Sequence, residues 1–251
     1  MLSQKPANNL AAIKENIDLQ AAVPLPTVRR AIDLRSTRRY LAVVPLLAGP
    51  LLIGALRAIV PLGKTTEETV AAVRSHPDAQ QAVVLLGVIG GIAMILAVLS
   101  VTRLVSRRAP VLGAVGGVVA LVGWAMVPML NASDALLGEV AKQNIATDSA
   151  LYDAYFSNPG VNLMFSIFIT GHIVGMLILG VAMFRARITP AWAGLAVVAG
   201  TILHPLAFVG LGNHFLDGVS YVIVAAGFAA AAAAIWRSTD AQWDVAPEPR
   251  S

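Results

Sequence analysis

Residues 161–184 read VNLMFSIFITGHIVGMLILGVAMF and residues 190–212 read PAWAGLAVVAGTILHPLAFVGLG, and neither run contains lysine, arginine, aspartate or glutamate. At about 1.5 Å per residue each is long enough to cross a bilayer core about 30 Å thick. The turn between them is short and basic, with Arg185 and Arg187, so the two runs are antiparallel neighbours. Each run carries one histidine, His172 in the first and His204 in the second. Ionisable groups at membrane depth are costly and face a bundle interior, which makes these two imidazoles the first place to look for function.

The rest of the chain has the same character. Of its 251 residues 57% are hydrophobic and 13% charged, and the mean hydropathy is +0.73. A soluble domain carries about 25% charged residues, so this chain lacks the polar side chains to coat a water-facing surface. Working outward from the central pair, four more apolar runs appear, and the spans predicted are 40–62, 81–104, 110–130, 161–184, 190–211 and 218–236. The fold class expected is all-α: a polytopic membrane helix bundle with six transmembrane helices.

Arginine clusters at 29–39, 103–108, 185–187 and 237 all fall on one side of a six-span topology, and the opposite loops are acidic or mixed. The positive-inside pattern then puts both termini in the cytoplasm, and the location expected is the cell membrane. The same distribution argues against nucleic acid as a partner despite a pI near 9.8. Residues 1–39 are expected to be a cytoplasmic tail, disordered or lying on anionic lipid, and 237–251 a second tail. The tail at the start has no apolar core of the length a cleavable signal needs. With no cysteine, disulfides, thiolate metal sites and cysteine nucleophiles are excluded. The Ala/Val/Gly/Arg-rich usage is that of many bacterial membrane proteins, which imports no function.

An internal repeat is suggested by TEETVAAVRSHP at 66–77 and TDSALYDAYFSNP at 147–159, each leading into an even-numbered span. Gly91 and Gly171, Arg107 and Arg187, and Pro110 and Pro190 correspond at an offset of about eighty residues. ALRAIVPL at 55–62 also matches GWAMVPML at 123–130. The pattern suggests three tandem helical hairpins, in which Arg57, Trp124 and His204 occupy equivalent places.

Depth and periodicity define the candidate site. His172 lies about 15 Å below the outer surface and His204 roughly 6 Å nearer to it. Phe165, Phe168, His172, Gly175 and Leu179 share one face, and Gly171 and Gly175 form a small-residue seam beside it. Pro205 frees the carbonyl of Thr201 close to His204. The expected ligand-binding set is His172, His204, Arg57 and Trp124, with His214 and Asp217 at an outer mouth on the turn between spans five and six. Arg57 either snorkels to headgroups or points inward to hold an anion. No carboxylate is expected inside any span, which leaves carboxylate-based proton relays without a candidate.

Three readings follow. The first, which the sequence favours, is a small-molecule or lipid binding or transport-type protein with an outward-facing cavity near His172 and His204. In the second, a membrane enzyme or electron-transfer protein uses the same pair to hold haem or a metal. In the third, an accessory or scaffold subunit binds a membrane-protein partner through its lipid-facing surfaces or the acidic segment 131–160. Membrane lipid is a partner in all three.

Overall fold

The computed structural model describes residues 34–143 and 145–243, and the expectations for residues 1–33 and 244–251 lie outside the described residues. The described chain is all-helical: α1 (Arg35–Ile59), α2 (Thr66–Ser75), α3 (Pro77–Val105), α4 (Pro110–Trp124), α5 (Val127–Val140), α6 (Ile145–Ser157), α7 (Pro159–Ala186), α8 (Ala191–Pro205) continued by one π-helical turn at Leu206–Gly210, α9 (His214–Arg237) and α10 (Asp240–Trp243). Six helices or helix pairs are long and apolar enough to cross a membrane. The protein is a multi-pass membrane helix bundle.

Local chemistry sets the boundaries. Pro77, Pro110 and Pro159 sit at the starts of α3, α4 and α7, where a missing N–H costs nothing. Asn158 and Asn213 cap α7 and α9 by accepting from backbone N–H groups in the first turn. Three predicted boundaries move. The first span starts at Arg35 instead of 40, so Arg35, Arg38 and Arg39 fall at the start of the helix. The third span runs on as α5 to Val140 after a break at Ala125–Met126, before Pro128, so most of the acidic segment 131–160 is helix. The sixth span starts at His214 instead of 218, because Asn213 supplies the cap.

Each membrane-length helix packs against the next in sequence, and the sixth closes back on the first. The result is a ring whose hairpin partners are α1 with α3, α4–α5 with α7, and α8 with α9. Met94, Trp124, Met176, Leu179 and Phe228 fill its centre. Outward faces carry large aliphatics at helical spacing, such as Leu85, Ile89, Ile92, Leu96 and Leu99 on α3. With lipid outside there is no hydrophobic gain from burying them, so small residues take the seams instead. Gly123 and Gly171 pack backbone to backbone: a Cβ on Gly123 would lie 2.2 Å from the His172 nitrogen.

One end of the bundle carries the loop helices. There α2, α5 and α6 enclose a second cluster of Val70, Val73, Leu137 and Val140, with Tyr152 against it. Burial, and the nearby Asp134 carboxylate next, push the Tyr152 phenol above its ordinary range. Arg74 ties α2 to the carbonyls of Ala141 and Gln143. The opposite, arginine-rich end holds Arg39, Arg103, Arg107 and Arg237, with α10 folded back against it so that Arg103 donates to the Trp243 carbonyl.

Candidate functional site

Toward the loop-helix end, the last turns of α1 and α8 meet the first turn of α9. The approach is close because Gly54 packs on the Gly218 carbonyl and Gly200 on the Ser220 carbonyl. These contacts carry Arg57, His204 and Asp217 together. Arg57 Nε donates to Asp217 Oδ2 at 2.6 Å, and His204 Nδ1 donates to Asp217 Oδ1 at 2.5 Å. Asp217 is fully buried, so both of its oxygens are matched by charged or polar donors, which is what a buried carboxylate requires. The Arg57 guanidinium lies 4.1 Å over the Phe208 ring, on the π-helical turn that follows Pro205.

From His204 the chain of rings runs inward. The His204 and His172 centroids are 5.5 Å apart, and His204 also meets Tyr221 at 5.1 Å. His172 stacks on Phe168 at 4.3 Å and meets Trp124 edge-on at 5.7 Å. Its Nδ1–H donates to the Phe168 carbonyl at 2.6 Å. With Nδ1–H held by the Phe168 carbonyl, the lone pair of the neutral His172 ring is on Nε2. Among the described residues, the buried His172 Nε2, Trp124 indole N–H and Arg57 Nη2 have no partner. Beside these groups lies a cavity of about 10 Å³ lined by Met94, Trp124, His172, Thr201, His204 and Tyr221 among others, about the least a water molecule needs.

The four expected ligand-binding residues are therefore joined by one continuous set of contacts, from Arg57 through Asp217 to His204, His172 and Trp124. Arg57 points inward, and the anion it holds is the protein's own Asp217. The outer-mouth pair divides. His214 is partly exposed and faces Phe208 at 5.6 Å, whereas Asp217 is neither on a turn nor exposed. The expectation that no carboxylate lies inside a span is thus corrected: with Asn213 as cap, Asp217 falls in the first turn of the sixth helix and faces the bundle. The signal was present in the sequence, since an Asn followed within four residues by an Asp marks a helix start. Tyr221, one helical turn beyond Asp217, carried no sequence signal.

No known family matches. Nor does any curated protein or any solved structure match the chain, and the geometry alone carries the functional reading. Among the described residues no group of three or more histidine and carboxylate side chains is placed to hold a metal ion. The cavity lined in part by His172 and His204, at about 10 Å³, is far smaller than a haem macrocycle.

Proposed function

We propose that this is a transport-type membrane protein that binds a small polar molecule and links its passage to a proton held between Asp217, His204 and His172. The observation that carries this reading is a fully buried carboxylate inside a membrane span, bonded on one side to a guanidinium and on the other to an imidazole. Intramembrane ionisable groups that face a bundle interior mark substrate paths and proton relays. The buried Nε2 of His172 has no partner among the described residues, and its ring lies 5.5 Å from that of His204 between centroids, which supports it as a second proton site. The cavity beside these rings takes one water, so a larger ligand needs the helices to part. The π-helical turn after Pro205 is the segment suited to that movement, since its hydrogen bonding is already irregular.

The arginine clusters support a cell-membrane orientation with both ends of the described chain cytoplasmic and the Asp217 site in the outer half. The tandem-hairpin reading is supported by the pairing of α2 with α6, which precede the second and fourth spans, and by the convergence of Arg57, Trp124 and His204 on one site.

The test uses the full chain in vesicles with a trapped pH dye, challenged with a panel of small amines, carboxylates and neutral polar solutes. Wild type should move protons with one class of solute, and Asp217→Asn and His172→Gln should fall to the level of empty vesicles while remaining folded. Proton movement unaffected by Asp217→Asn, or none with any class, would sink the proposal.

A second reading keeps one specific observation in its favour. Anchoring Nδ1 to an oxygen, as Asp217 and the Phe168 carbonyl do here, is the arrangement that turns Nε2 toward a metal ion. Stoichiometric metal in the purified protein, lost in His172→Gln, would support it.

A further inference from the structure

At the arginine-rich end, the α3–α4 turn, the α7–α8 turn and the end of α9 enclose an open cavity of about 590 Å³. Three cations, Arg107, Arg108 and Arg237, line it, and no carboxylate does among the described residues. Its apolar lining is Leu104, Ile188 and the Ala230, Ala233 and Ala234 face of α9. Trp192, half exposed, also lines it, and an indole at a helix end marks the headgroup level of a bilayer.

Arg107 lies 5.9 Å from the Trp243 ring centroid, and its guanidinium is pushed below its ordinary value by burial and then by the neighbouring Arg103. Nearby Asp240 is engaged with Arg39. An open cavity that combines three cations, the polar side chains of Ser238 and Gln242 and an aliphatic lining matches one class of ligand: a phosphate-bearing group attached to acyl chains.

We infer that this cavity is a binding site for the headgroup of an anionic phospholipid, with the phosphate among Arg107, Arg108 and Arg237 and an acyl chain along the alanine face of α9. Basic pockets between membrane helices at the cytoplasmic side bind such headgroups by the same chemistry. The site stands apart from Asp217, at the other end of the bundle, and does not depend on what that site transports.

The test titrates the full-length protein in neutral detergent with short-chain phosphatidylglycerol and, in parallel, phosphatidylcholine, reading bound lipid by native mass spectrometry. Phosphatidylglycerol should saturate at one molecule per chain and phosphatidylcholine should not. Each of Arg108→Gln and Arg237→Gln should weaken phosphatidylglycerol about fivefold, and the triple variant with Arg107→Gln should lose the saturable site. The single variants carry the test if the triple does not fold. Arg185→Gln, a cation at the same end that does not line the cavity, should leave binding unchanged. Inorganic phosphate at millimolar concentration should fail to displace the lipid. Equal binding of the two lipids, unchanged binding in both single variants, an equal loss in Arg185→Gln, or full displacement by phosphate would each overturn the assignment.

Discussion

At the loop-helix end an arginine–aspartate pair, Arg57 with Asp217 at 2.6 Å, is closed off from solvent on the aspartate side and completed by His204. At the arginine-rich end a pair of the same kind, Arg39 with Asp240 at 2.9 Å, leaves the aspartate 39% exposed. The chemistry is shared and only the surroundings differ. In the first pair the carboxylate has no water to fall back on, so each partner is needed to keep the other tolerable. In the second, water and backbone carbonyls share the work. Proximity in a contact map therefore says little about what a charge pair does; burial of its carboxylate says more.

The sharpest way to break this comparison is to remove one partner of the buried pair. Arg57→Met should destabilise the purified protein by about 3–5 kcal/mol, because Asp217 is left with His204 alone in an apolar setting. Replacing both partners, Arg57→Met with Asp217→Leu, should recover most of that loss while abolishing any proton-linked activity. Unfolding in detergent followed by circular dichroism measures both. A double variant no more stable than the single one would mean that the cost is packing, and that Asp217 is not the strained charge described above.

A second test addresses how the site is held. Gly123 and Gly171 allow α4 and α7 to touch beside His172. Gly123→Val should cost about 1–3 kcal/mol through overpacking and should also disturb the Trp124–His172 contact, read as a change in tryptophan fluorescence. Unchanged fluorescence with reduced stability would separate the seam from the site.

Much of this was legible in the sequence. The six spans follow from runs of apolar residues without charge, and the inward direction of His172 follows from its place on the Phe165, Phe168, Gly175 stripe. The glycine seam at Gly171 and Gly175 was readable for the same reason, since small residues at four-residue spacing have no other use on a membrane helix. Asp217 was not placed correctly because hydropathy averages over a window, and a charged residue near a boundary reads as loop. Its helix is announced by a cap at Asn213, a signal of a different kind. The segment after Leu130 was hidden for the same reason: Asp134 and Glu139 lower the hydropathy, yet α5 is helical and packs on α3 and α2. The arginine cavity was not legible at all, since it is made by two turns and a helix end distant in sequence, which only the packed bundle brings together.

The smallest effect belongs to the exposed pair, and it is the one that tests the comparison from the other side. Asp240→Ala removes one hydrogen bond to Arg39 Nε, but the guanidinium keeps the carbonyls of Trp236 and Ser238 and the Tyr40 hydroxyl. Nothing is left buried and unpaired, so the cost should be about 0.2–1 kcal/mol and should shrink as salt is raised. The same salt series on Arg57→Met should show almost no change, because screening ions do not reach a carboxylate with no exposed surface. A salt-insensitive loss of several kcal/mol in Asp240→Ala would mean that the Arg39 cluster, with α10 docked on it, clamps the first and last helices of the ring. The two ends of the bundle would then differ in composition and not in kind.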